Sequence, residues 1–161
     1  MGAYTAIDGP VRLLGLGNEL LADDAFGIHV ARQVQCRFGC AVDVVTSSAS
    51  GFALLDDVTG AARLLVVDTV LTGSVPTGSL RVLTEDQVRA APGGSPHFLG
   101  LFDVLRAARE LGIPVPSEVV ILAVEASDCM TFGRAMHAAV ESAVSPAVDL
   151  LGELLGARET T

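Results

Sequence analysis

Two unbroken apolar runs constrain what this chain can fold into. Leu64-Leu65-Val66-Val67 and Val119-Val120-Ile121-Leu122-Ala123-Val124 carry no polar residue at alternate places. A strand with one wet face would alternate. Continuous aliphatic and β-branched runs instead predict strands covered on both faces, as in a parallel sheet between layers of helices.

The rest of the chain agrees with that reading. Short apolar runs predict strands at 11–16, 41–46, 63–68, 79–83 and 118–124, alternating with helical patterns at 25–38, 52–59, 100–111 and 133–155. Such alternation is the mark of βαβ units. Phe26, Val30 and Val34 recur at helical spacing, as do Leu101, Val104, Leu105, Ala108 and Leu111. Gly112 and Pro114 stop the third helix, and Pro146 is expected to kink or restart the last one, with Ser145 as a cap. No helix precedes the strand at 79–83, and a parallel crossover needs a dozen residues or more, so that strand is expected to be antiparallel. The fold class is therefore α/β: a three-layer, twisted, mostly parallel five-stranded sheet with one antiparallel strand and helices on both faces. At 161 residues the chain is expected to form a single domain, 1–161, with tails at 1–10 and 157–161 outside the core. The Gly/Pro-rich segments 71–78 and 90–97 read as loops, the second as a mobile lid.

Composition removes several function classes. A net charge of -9 disfavours nucleic acid, which needs a basic face. All ten cationic side chains are Arg and none is Lys, which excludes a Schiff-base lysine, a pyridoxal enzyme and a phosphate-loop NTPase. No apolar run reaches membrane length, and the N-terminus lacks the pattern of a signal peptide, so no membrane partner is expected. Cys36, Cys40 and Cys129 are sparse and odd in number, as in a reducing, cytoplasmic setting. Cys36 and Cys40 read as small apolar residues near a helix end rather than a zinc site.

Gly15-Leu16-Gly17 begins like a dinucleotide fingerprint, but Leu20 stands at the third glycine and no acidic residue closes the second strand. Asp23 and Asp24 would also repel a pyrophosphate at that helix start. Chemistry concentrates instead on Asp24, Asp68 and His97. Asp24 ends the glycine turn, where an N-cap is the ordinary role; with two adjacent Asp residues, Asp23 can cap and Asp24 can point elsewhere. Asp68 follows an apolar strand, at the end where α/β proteins bind ligands, although a loop-tying Asp is equally common there. His97 lies in a Gly/Pro-rich loop, where a solvated His is the usual finding. Two carboxylates and an imidazole can hold a borderline divalent cation and leave positions open. Asn18 is suited to holding the turn, while His29 and His137 fall inside helical patterns. Glu125 either ties the cleft or meets a substrate.

The segments GNELLADDAFG, VVDTV, SPHFLGLFDVL and ILAVE together resemble the hydrogenase maturation proteases, from about Leu13 to Glu125. The resemblance implies a twisted mixed sheet with helices on both faces. It also implies a metal-dependent or aspartic-type endopeptidase, in the cytoplasm, that removes the C-terminal extension of a nickel–iron hydrogenase large-subunit precursor. By the same resemblance Asp24, Asp68 and His97 are both the metal ligands and the catalytic residues. The nickel arrives with the precursor, and another divalent cation can occupy the site in isolation. The chain departs from the family at Ser47-Ser48-Ala49-Ser50-Gly51 and at Ala126, which leaves room for a metal-sensing assembly chaperone that binds the same precursor without cutting it. A mechanistic rival makes Asp24 and Asp68 a proton-sharing pair. Gly15-Leu16-Gly17-Asn18 is also similar to the start of peptidyl-tRNA hydrolase, but Asp23-Asp24-Ala25 occupies the place of that family's His.

Overall fold

The computed structural model describes residues 9–90 and 96–156. Its strands are β1 (Val11–Leu16), β2 (Asp43–Ser47), β3 (Arg63–Val70), β4 (Leu80–Leu83) and β5 (Glu118–Glu125). The helices are α1 (Phe26–Phe38), α2 (Leu55–Val58), α3 (Glu85–Ala90), α4 (Pro96–Glu110), α5 (Ala138–Ser142) and α6 (Val144–Leu155). The five strands form one sheet in the order β2-β1-β3-β5-β4. All neighbours are parallel except β4 and β5, which run antiparallel, as the missing crossover helix requires.

The unbroken runs are buried on both faces, and period two sorts them. Leu65, Val67, Leu122 and Val124 join Phe26, Val30, Val34 and Val148 in one core, beneath α1 and α6. Leu64, Val66, Ile121 and Ala123 join Phe98, Leu101, Phe102 and Leu105 of α4 in the other. Three layers result, with a core on each side of the sheet. Gly27 sets how closely α1 can rest on the strands. A Cβ there would stand 2.2 Å from the Leu16 carbonyl oxygen and 2.4 Å from that of Val67.

Several expected elements differ. The helix expected at 52–59 is a 3-10 turn (Gly51–Leu54) followed by the single turn of α2. The helix expected to begin at residue 133 begins at Ala138, and His137 caps it, its ring Nδ1 accepting from the Ala139 amide at 3.1 Å. The helix restarts at Val144, the second of the two outcomes expected of Pro146, which sits in the first turn of α6 where its missing N–H costs nothing, and Ser145 caps nothing. Leu111 lies past the end of α4 and is 72% exposed rather than part of the core stripe. Pro10, just before β1, accepts a hydrogen bond from the Ala62 amide at 2.8 Å. The remaining tail residues 1–8 and 157–161, and positions 91–95 of the expected lid, lie outside the described residues; Pro96 and His97 open α4.

Candidate functional site

In a doubly wound sheet the crevice forms where neighbouring strands send their connections to opposite faces. Here that place is the carboxyl end of β1 and β3, because α1 covers one face and α4 the other. Gly17, at φ +144°, turns the chain back on itself so tightly that a Cβ would lie 1.9 Å from the Asp24 carbonyl oxygen. The Asn18 amide donates to that oxygen at 3.2 Å, and the Asn18 side chain accepts from the Leu20 amide at 2.9 Å, the holding role expected of it. The turn ends in a 3-10 segment, Ala22–Ala25, that carries Asp24 over the crevice.

Asp24 is not the cap of α1, and neither is Asp23. Asp23 is buried and turned toward the loop after β5. Its carboxylate accepts from the amides of Ser127 (2.8 Å), Asp128 (2.9 Å) and His137 (2.6 Å). That division of labour leaves Asp24 facing the site, 6% exposed. Burial pushes the Asp24 carboxyl above the usual carboxylate range; the His97 charge, the Asn18 amide and the Thr69 side chain pull it back only in part.

Asp68 lies inside β3 rather than at its end, since the strand continues through Thr69 and Val70. It has the parity of Leu64 and Val66, the face covered by α4, and is fully buried. The Thr69 amide donates to its Oδ1 at 2.7 Å. His97, in the first turn of α4, brings its Nε2 to 4.0 Å from Asp24 Oδ2. Its Nδ1 is 3.4 Å from the Ala49 carbonyl, which only accepts. A bond there is donated by Nδ1–H, and Nε2 is the ring nitrogen turned toward Asp24.

The structure thus brings Asp24 and His97 together and sets Asp68 on the adjoining strand. Among the described residues, no group of three or more His, Cys, Asp or Glu side chains is gathered tightly enough to hold a metal ion outright. The donor types suit a borderline divalent ion; closing on one requires these side chains to shift toward it.

Two residues at the site were not singled out from the sequence. The Thr69 side chain lowers the Asp24 carboxyl, and its hydroxyl stands 3.5 Å from Asp68 Oδ1 and 3.4 Å from Cys129 Sγ. Its position directly after Asp68 was the available signal. Burial pushes the Cys129 thiol up to about 11, with Asp24, Asp23 and Asp68 adding to the rise, so it is no thiolate nucleophile at neutral pH. Nothing in its spacing marked it. Cys36 and Cys40 are exposed free thiols at the end of α1. Glu125 is a structural tie: it accepts from the Thr72 and Gly73 amides at 2.7 Å and from the Thr72 hydroxyl at 2.8 Å, and Arg81 lies 3.2 Å away. A groove of about 310 Å³ opens beside the glycine turn, lined by Asn18, Leu20, Arg32, Thr46 and Ser48 among others.

Among the described residues no helix is long and apolar enough to cross a membrane. A family model described as hydrogenase maturation protease matches residues 28–153, a span that contains Asp68 and His97 and begins just after Asp24. The hydrogenase expression/formation protein HoxM of Cupriavidus necator is 34% identical over 147 residues, covering 86% of this chain and 72% of that protein. The hydrogenase 2 maturation protease of Escherichia coli is 31% identical over 106 residues, 63% of this chain and 65% of its own length. The solved structure of the hydrogenase maturating endopeptidase HybD from Escherichia coli superposes with a TM-score of 0.78 at 26% identity, over 91% of this chain and 92% of that one. On these grounds the chain belongs to the hydrogenase maturation protease family.

Proposed function

We propose that this chain is a cytoplasmic endopeptidase that removes the C-terminal extension of the precursor of a nickel–iron hydrogenase large subunit. In this reading it recognises the nickel already seated in that precursor through Asp24, Asp68 and His97. The supporting observation is the meeting of Asp24 and His97, 4.0 Å apart, at the crevice above the buried Asp68. Two carboxylates and one neutral imidazole nitrogen suit such an ion, and the precursor's own ligands supply the remaining positions. Because the three side chains do not form a closed ion site by themselves, affinity depends on the ion the substrate brings. A precursor without nickel lacks the link between the two surfaces and is passed over. The groove beside Asn18 and Arg32 has room for a segment of extended chain leading to the site. Once docked, the substrate's nickel acts as a Lewis acid toward the scissile carbonyl or a water.

A second mechanism has its own observation. Burial raises the Asp24 carboxyl, as expected of one member of a proton-sharing pair with Asp68. Under that mechanism cleavage follows a bell-shaped pH profile set by the pair and does not depend on nickel.

The test is incubation of nickel-loaded and metal-free precursor with the unsubstituted chain and with Asp24→Asn, Asp68→Asn and His97→Ala, read by the mass of the large subunit. Shortening of the loaded precursor alone, lost in all three variants, is the expected result. Full processing by all three variants rejects the residue assignment. An intact precursor held in a stable complex identifies a non-cleaving assembly chaperone instead.

A further inference from the structure

We infer that Leu20, Phe132 and Met130 form an apolar rim that docks the folded body of the precursor, apart from the carboxylates and His97 and meeting the groove beside them only at Leu20. The inference rests on the function proposed above. Met130 is 82% exposed, Phe132 73% and Leu20 55%. Single exposed apolar side chains are ordinary on a protein surface. These three differ because the backbone that presents them is held in place. Leu21 pairs with Phe132 in an antiparallel bridge, and the Gly133 amide donates to the Leu20 carbonyl at 2.8 Å. The Asp23 carboxylate accepts from Ser127 and Asp128, while the Asp23 amide donates to the Asp128 carbonyl at 2.9 Å. Asp128 Oδ1 in turn accepts from the amides of Met130 (2.9 Å) and Thr131 (3.0 Å). The result is a fixed loop whose apolar side chains project into water, the usual form of a protein-contact surface.

Position identifies the occupant. The rim is built on the same turn as Asp24 and on the segment that sets Cys129 against Thr69. Whatever covers it is therefore the molecule whose processed segment enters the site. The net charge of -9 repels an anionic lipid surface and nucleic acid alike. The partner that fits is a folded protein with apolar surface flanking its C-terminal extension.

The experiment measures processing and binding of purified nickel-loaded precursor by the unsubstituted chain, the double variant Met130→Ser/Phe132→Ser, and Leu20→Ser. Leu111→Ser is the control: that residue is 72% exposed, one residue beyond α4, at the far end from His97. Expected is a KM raised about tenfold for each side chain lost from the contact, with circular dichroism and Tm unchanged. The control keeps the parental KM. Two rim mutants with the parental KM overturn the docking surface and leave the proposed function standing. So does a parental dimer that the double variant converts to monomer, since the rim would then be a contact between copies. A parental chain that neither binds nor shortens the loaded precursor overturns both.

Discussion

Replacing Asp23 with Ala removes three short bonds from backbone amides to one buried carboxylate, those of Ser127, Asp128 and His137. A hydrogen bond to a charged group contributes about 1.5–3 kcal/mol net when its loss leaves the partner unsatisfied. Ser127 and His137 are exposed, so water replaces the carboxylate at two of the three amides and the full sum does not apply. The Asp128 amide, on a half-buried residue, keeps most of its penalty. The expected loss is about 3 kcal/mol, out of the roughly 5–15 kcal/mol that holds a domain of this kind. In a chain of this size it corresponds to a fall in Tm of roughly 6–12 °C. With no Trp and a single Tyr, far-UV circular dichroism in a urea titration is the suitable probe. Native-state hydrogen exchange locates the effect: the amides of Ser127, Asp128 and His137 should lose protection before the sheet does. A fall of less than about 1 kcal/mol, below one such bond, or exchange unchanged at those amides, refutes the stapling role.

Three other perturbations bear on the same architecture. Gly27→Ala places a methyl 2.2 Å and 2.4 Å from two backbone oxygens that cannot swing away, so the urea midpoint should drop by about 3 kcal/mol or more at constant m; a loss under 1 kcal/mol removes the close approach of α1. Asp24 has a raised folded-state pKa, so between the ordinary value of 3.8 and that raised value the folded chain binds more protons than the unfolded one, and stability falls as pH rises through this window. Asp24→Asn should therefore gain in Tm over the parent as pH rises from about 4, while losing processing; a constant Tm difference across that range contradicts it. At pH 8 Cys36 and Cys40 should react readily with a thiol reagent, whereas half-buried Cys129, pushed up to about 11, reacts markedly more slowly; three equally fast thiols would show that Cys129 is not shielded.

The sheet was readable from sequence because its signal is local. Unbroken runs at Leu64–Val67 and Val119–Val124 demand cover on both faces, and the short reach to β4 permits only an antiparallel strand. Phe26, Val30 and Val34 showed the buried side of α1 for the same reason. What was missed depended on distant partners. The stretch from Gly133 to His137 has helical composition, yet the His137 amide donates to Asp23, and that bond across the fold begins the helix at Ala138. Of two adjacent aspartates, the sequence suggested that one caps and one works. The structure turns Asp24 toward the crevice and gives Asp23 to the loop after β5, a partner that no spacing rule connects to it. Cys129 reached the site by the same route.

Burial alone does not tell a working carboxylate from a structural one, but the donors around it do. Asp23 and Glu125 are each only 1% exposed, and both are filled by amides, hydroxyls or a guanidinium. They stabilise the loops they bind and have little capacity left for a ligand. Asp24 is different: with hydrogen bonds and a nearby imidazole, burial still prevails and its charged form is disfavoured. A group folded against its own ionic preference gains most when a cation arrives, because the desolvation cost has already been met in folding. Asp68, fully buried within β3, accepts from the Thr69 amide. Under the proposed function, the stability given up at Asp24 is what a substrate's metal would recover on docking at the crevice between β1 and β3.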